Sequence, residues 1–151
     1  MANPTVEKRA EQLYASDLEG FVQTYKEAKQ AETLPGLQQR WFVAAQEAAK
    51  NLGLHQEQFK AVLRVPGKKM PVEAAAIAKL KTAPEIFYRM SLFSSAAAHL
   101  TAALQNDKRR AQHWMMVQHG GGPFQGKRPI AALISGAPHT LKTLQSYVHF
   151  A

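Results

Sequence analysis

Histidines are the side chains best suited to binding a metal or moving a proton, and this chain of 151 residues has six of them. A metal site on a helix needs two histidines on the same face, as the spacing i, i+4 provides. His113 and His119 are six residues apart, which does not place them on one helical face. The other histidines are scattered, and none pairs with a carboxylate at i, i+4. We predict no metal site and interpret the histidines as solvent-exposed or core residues.

Other residue types that could carry catalysis do not form a site either. After residue 47 only four carboxylates remain, each in a helix-start or surface pattern: Glu57, Glu73, Glu85 and Asp107. The run Gly120–Gly122 follows a predicted helix rather than a strand, and it lacks the Gly-Lys-Ser/Thr end of a phosphate-binding loop. Ser94 and Ser135 have no neighbouring base that the sequence identifies, and there is no cysteine. The sequence therefore predicts a binding protein with no catalytic residue and no cofactor.

Positive charge is concentrated in the second part of the chain. Residues 1–47 carry five Lys/Arg against seven Asp/Glu, whereas residues 48–151 carry fourteen against four. A basic body of this kind is typical of proteins that meet phosphate or another acidic surface. The alternative is an ordinary solvated basic surface, and charge alone does not separate the two interpretations.

The elements that would hold these residues are predicted to be helices throughout. Apolar residues recur at helical spacing, and β-branched residues are few. The longest predicted helix starts at the capping-box pair Thr82 and Glu85 and carries an apolar face of more than five turns. That face, which exceeds what a small domain easily covers, predicts a dimer interface: Phe87, Met90, Phe93 and Leu100. The predicted fold class is all-α, a helical bundle.

Several helix boundaries can be predicted from capping residues. Ser16 with Glu19 has the spacing of a capping box, which predicts a helix start there, and the polar residues 1–15 before it are interpreted as either disordered or a fraying helix. Gly53 predicts a helix end, and Pro71 predicts a helix start. The pair Asn106-Asp107 predicts the start of another helix.

Residues 54–81 could form a helix-turn-helix-like segment with exposed cations. In such a segment, side chains around the turn and the second helix reach phosphates and base edges. The candidate nucleic-acid contacts are Arg64, Lys68, Lys69, Lys79 and Lys81. The second helix, PVEAAAIAKL, has alanines where a recognition helix has polar residues. Contact would therefore be to the backbone, and a purely structural helix pair is the alternative.

The chain ends do not suggest a membrane protein. The start MANPTVEKRAEQ has no apolar leader segment, and no stretch is as apolar as a membrane span. The absence of cysteine suits a reducing compartment. We expect a cytoplasmic protein.

The C-terminal stretch AQHWMMVQHGGGPFQGKRPIAALISGAPHTLKTLQSYV combines a Trp helix, a loop, a short Gly-x-x-Pro-x-x-x-Leu-Ile segment and a final apolar helix. This order resembles the C-terminal toxin-binding domain of the Xre/MbcA/ParS antitoxin family. The residues that carry the resemblance are Ala111, Trp114, Phe124, Gly126, Pro129, Leu133, Ile134, Gly136, Leu141, Leu144 and Val148. The chain has His119-Gly-Gly-Gly-Pro where the family has an Asn-Pro pair. Upstream, LGLHQEQFKAVLRV is similar to the first half of the family's helix-turn-helix.

The resemblance implies three regions: an N-terminal helical segment of unknown role over 1–50, a helix-turn-helix and dimerisation helix over 51–105, and a toxin-binding domain over 106–151. It implies structural roles for Trp114, Gly126, Pro129 and Gly136 within the last region. It places the toxin contact near the C-terminal end. The candidate residues for that contact are Lys142, Tyr147, His149 and Phe150.

The function that the resemblance implies is neutralisation of a protein toxin. A homodimer would cover the active site of a RES-type toxin, which consumes NAD, and the complex would sit on its own operator DNA. Two alternatives stay open at this stage: a DNA-binding transcriptional regulator without a toxin partner, and a stand-alone helical adaptor. An adjacent toxin-like reading frame would favour the first hypothesis over both alternatives.

Overall fold

The computed structural model describes residues 6–118 and 126–135, and this part of the chain is built from helices without a strand. The all-α prediction is therefore confirmed. In chain order the helices are α1 Val6–Gln30, α2 Leu34–Asn51, α3 Gln56–Leu63, α4 Ala74–Ala78, α5 Ala83–Ala103, α6 Lys108–Met116 and α7 Pro129–Ser135.

Helix α5 runs through the middle of the bundle. It contacts α1, α2, α3, α4 and α6, and every residue from Ile86 to Met90 is buried. A helix that is apolar on all sides is expected to be enclosed by its own chain. The sequence instead predicted that the apolar face of α5 forms the interface of a homodimer. Its four residues are fully buried inside the described part of this single chain: Phe87, Met90, Phe93 and Leu100.

An aromatic cluster joins the N-terminal helices to α5. Phe21 of α1 lies 4.9 Å from Trp41 of α2 and 5.1 Å from Tyr88 of α5, measured between ring centroids. Phe87 is 5.8 Å from Trp41 and 6.3 Å from Tyr25. Tilted aromatic pairs at these distances add to the stabilisation that burial itself provides. The segment 1–50, whose role the sequence did not reveal, thus contributes α1 and α2 to the same core as α5.

Two buried polar side chains are paired inside this core. Gln38 Nε2 donates a hydrogen bond to the Tyr25 hydroxyl at 2.8 Å, across α1 and α2. Arg89, only 3% exposed, donates to the Val62 carbonyl at 3.5 Å and lies 3.8 Å from a Glu85 carboxylate oxygen. Buried polar groups are costly unless they are paired, so these contacts fix the relative positions of their helices.

Helix ends agree with the sequence where the signal is local. Gly53 has φ +74°, with its N–H bonded to the Lys50 carbonyl, and ends α2 in the left-handed conformation that glycine favours. Asp107 accepts hydrogen bonds from the backbone N–H groups of Arg109 and Arg110, which makes it the cap of α6.

Two other predicted helix starts are wrong, whereas α5 begins directly after Thr82, as predicted. Helix α1 begins at Val6 and continues through Ser16, because the polar segment before Ser16 consists mostly of good helix formers. Helix α4 begins at Ala74 rather than at Pro71. Thr82 precedes α5 but makes no side-chain capping bond.

No helix in the described ranges is both long and apolar enough to cross a membrane.

Candidate functional site

Helices α6 and α7 form the part of the structure that corresponds to the predicted toxin-binding region. They contact each other, and α7 also packs on α3. Ala111 and Met115 of α6 and Ile130 and Leu133 of α7 are buried. The Gln112 amide donates to the Asn51 carbonyl at 3.2 Å, which ties α6 to the end of α2. The pair is therefore attached to the main core rather than standing apart from it.

The structural residues of the motif occupy definite positions in this pair. Trp114 is partly buried and packs against the core. Gly126 has φ +82°, a value that L-residues rarely adopt, and it comes shortly before α7. Pro129 is buried and is the first residue of α7, where its fixed φ and missing N–H are tolerated. Gly136 lies outside the described residues.

The predicted toxin contacts also lie outside the described residues: Lys142, Tyr147, His149 and Phe150. The described part of this region carries many exposed cations. Lys108, Arg109 and Arg110 are exposed on the first turn of α6, and Lys127 and Arg128 are exposed just before α7. No Asp or Glu follows Asp107 in the sequence. The starts of α6 and α7 therefore each carry exposed positive charge.

The predicted nucleic-acid residues are all exposed, but they do not form one cluster around a recognition helix. Arg64 ends α3 in a left-handed conformation with φ +60°, and Lys68 and Lys69 lie in the connection over residues 64–73. Lys79 and Lys81 follow α4. This connection is longer than the turn of an ordinary helix-turn-helix, which has about three or four residues.

Helix α4 cannot read base edges through its own side chains. Its sequence is Ala-Ala-Ala-Ile-Ala, and Ala74 and Ile77 are buried. The exposed positions Ala75 and Ala76 carry only methyl groups. Base readout needs hydrogen-bonding side chains, so any contact with DNA in this region would be to phosphates.

Part of the basic set lines a groove between α2, α3 and the connection that precedes α4. The groove has a volume of about 360 Å³ and is lined by Gln46, Gln56, Glu57, Lys60, Lys68, Lys69, Met70, Pro71 and Val72. Lys68 and Lys69 of the predicted set are brought together there, whereas Arg64, Lys79 and Lys81 do not line it. Sequence reasoning missed Lys60 and Val72. Both are close in sequence to residues that were selected, but they line one groove only because of how the connection folds. We call it the lysine groove.

A second groove, of about 390 Å³, runs between α2 and α5. Small side chains line most of it: Ala44, Ala48, Ser94, Ala97 and Ala98, with Glu47, Asn51, Thr101 and Asn106 at the polar positions. The Asn51 Oδ1 atom is buried without a hydrogen-bond partner within the described part of the chain. We call this surface the alanine groove.

The described histidines are His55, His99 and His113. His55 caps α3 through its Nδ1 atom, which accepts a hydrogen bond from the Gln58 N–H, while the Gln58 side chain accepts from the His55 N–H. His99 and His113 are exposed. Over residues 6–118 and 126–135, no three His, Asp or Glu side chains come close enough to hold a metal ion.

Comparison with protein families, with curated proteins and with solved structures finds no match to this chain.

Proposed function

We propose that this chain is an antitoxin-like binding protein that works in the cytoplasm and neutralises a RES-type, NAD-consuming toxin by covering its active site. The observation that carries the proposal is the geometry of the α6–α7 pair. Gly126 turns the chain with φ +82°, Pro129 opens a short helix, and that helix packs on the Trp114 helix. These are the local structures that the motif requires of those residues. The toxin class is inferred from the sequence resemblance, and the structure supports that resemblance through this local agreement.

The basic surface next to this pair supports a partner with an acidic face. Five cations are exposed at the starts of α6 and α7: Lys108, Arg109, Arg110, Lys127 and Arg128. The carboxylate of Asp107 is engaged in capping α6. Long-range attraction from such a surface raises the association rate with an acidic protein, an effect that salt weakens.

The experiment is co-expression with a RES-type toxin whose reading frame adjoins this gene, with cellular NAD as the readout; a gene with no such neighbour would count against the proposal. We expect the full chain to bind the toxin and preserve NAD. Replacing Lys142, Tyr147, His149 and Phe150 together by Ala should weaken toxin binding by about 2 kcal/mol or more, because buried aromatics dominate such interfaces. The melting temperature should stay nearly the same.

A matched control carries alanines at exposed positions of α1 and α2, namely Lys26, Gln39, Arg40 and Val43. This control should neutralise the toxin as well as the unmodified chain does. A four-alanine C-terminal variant that still protects NAD at equal dose would remove those residues from the toxin contact. A full chain that neither binds the toxin nor preserves NAD would refute the antitoxin proposal itself.

A DNA-binding regulator is the second candidate, favoured by the exposed cations of the helix-turn-helix-like segment. Phosphate contacts release counterions, so binding should weaken by about 0.9 log units per log unit of salt for each phosphate neutralised. Replacing Lys68 and Lys69 by Ala should lower that slope by about one to two units. A slope that does not change would place DNA, if it binds, on another surface.

A further inference from the structure

The lysine groove has a mixed character that phosphate binding does not explain. Lys60, Lys68 and Lys69 supply three ammonium groups, and within residues 6–118 and 126–135 no carboxylate forms an ion pair with them. The same groove contains Val72, which is 84% exposed and is the most exposed of the large apolar side chains that the structure describes. Met70 and Pro71 lie beside Val72, so its apolar surface is continuous with theirs.

The groove is held in place by its surroundings. Val65 is buried at the start of the connection, and Met70 packs against the core near its end. Between them Pro66 restricts the backbone, and Gly67 adopts φ +98°. A connection fixed at both ends loses little conformational entropy when a ligand binds, which favours affinity.

We propose that the lysine groove is a docking site for an acidic segment of a protein partner that also carries an apolar side chain. The ammonium groups would pair with Glu or Asp side chains of that segment, while Val72 and Met70 would pack against its apolar residue. Gln46 and Gln56 add amides that can donate to and accept from a peptide backbone. This site goes beyond the proposed toxin contact, which was assigned to residues near the C-terminal end of the sequence.

Two observations favour a peptide over nucleic acid as the occupant. A phosphate backbone offers nothing to pack on Val72, whose burial contributes only with an apolar partner. Gln46 and Gln56 line the same groove with amides that both donate and accept, which matches the N–H and C=O groups of a peptide, whereas a phosphate backbone only accepts.

The test uses the full chain and two labelled synthetic peptides of identical length, one of Glu, Ala and Leu and the other with Gln in place of each Glu. Binding is followed by fluorescence anisotropy, and its location by amide chemical shifts. We expect only the acidic peptide to bind, and we expect the changes in amide chemical shift to be concentrated in residues 56–72. Lys68→Glu with Lys69→Glu should weaken it by about tenfold or more. Val72→Ser should weaken it by about fivefold.

The matched control is Lys79→Glu with Lys81→Glu, which makes the same charge change outside the groove and should leave peptide binding nearly unchanged. Equal binding of both peptides, or shifts outside the groove, would overturn the proposal. A third result would also overturn it, namely that duplex DNA of mixed sequence binds while the acidic peptide does not. In that case the DNA would change the amide chemical shifts of residues 56–72 and would bind the Val72→Ser variant equally well. None of these outcomes depends on the toxin, so they are separate from the test of the antitoxin proposal.

Discussion

At the scale of single residues, the hydrogen bond between Tyr25 and Gln38 is the contact whose loss should be easiest to measure. Both side chains are buried, and the Gln38 amide donates to the phenol oxygen at 2.8 Å. Tyr25→Phe leaves the amide buried without this partner, which should lower the free energy of unfolding by about 1–3 kcal/mol. Urea denaturation measures the loss.

The double variant Tyr25→Phe with Gln38→Leu is the control for that interpretation. It removes both polar partners together, so it should be less destabilised than the sum of the two single variants. Strict additivity would show that the two side chains do not interact energetically in the folded protein.

The same tyrosine should make the protein less stable in alkali. Burial raises the pKa of Tyr25 above its usual value of 10.0, an effect that the Gln38 hydrogen bond partly opposes. Below that value the phenol is neutral in both states, and its contribution to stability is complete. As the pH rises further, the unfolded phenol ionises first, so the contribution is lost as the pH rises through the native pKa.

We therefore expect the unfolding free energy of the unmodified chain to fall more steeply above pH 10.0 than that of the double variant, which has no phenol at this position. Comparing the two chains cancels the titration of the other tyrosines and lysines. Parallel curves would contradict a raised pKa at Tyr25.

At the scale of the elements, the cap at Asp107 stabilises α6, the helix that α7 contacts. Asp107 accepts hydrogen bonds from the N–H groups of Arg109 at 3.0 Å and Arg110 at 3.2 Å. Asp107→Ala removes both and should cost about 0.5–2 kcal/mol, with faster hydrogen exchange in α6. Asp107→Asn keeps an accepting oxygen and should cost much less. Equal losses in both variants would mean that the charge, rather than the cap, stabilises the helix.

The elements also show what could be predicted from the sequence. Helical class, the end of α2 at Gly53 and the cap at Asp107 depend on nearby residues and were predicted correctly. The cap of α3 was missed because His55 is not among the usual capping residues, although its Nδ1 performs the role. The connection over 64–73 could not be predicted, since its course depends on where Val65 and Met70 pack.

At the scale of the whole molecule, the predicted homodimer needs a different interface from the one its sequence suggested. Periodicity shows that Phe87, Met90, Phe93 and Leu100 share an apolar character, but it cannot show which helix covers them. In the fold they are enclosed by helices of the same chain. The exposed residues of α5 that remain for a partner are Ala98, His99, Ala102 and Ala103.

If the chain dimerises through α5, the alanine groove is where it must do so. It is lined by small residues that allow close approach. We expect Ala98→Glu to convert a homodimer into a monomer without lowering the melting temperature, as seen by light scattering at micromolar concentration. Ala75→Glu, at an exposed position of α4, is the matched control. A dimer that tolerates Ala98→Glu would exclude this surface.

The central position of α5 also has a consequence for the order in which the chain is made. Phe21, Tyr25 and Trp41 emerge from the ribosome well before Phe87 and Tyr88, the rings of α5 with which they associate. Until that helix has been synthesised, α1 and α2 have each other but lack the element that covers most of their apolar surface. The nascent chain therefore carries an exposed aromatic patch while the residues between Trp41 and Tyr88 are being synthesised, a surface of the kind that general chaperones bind.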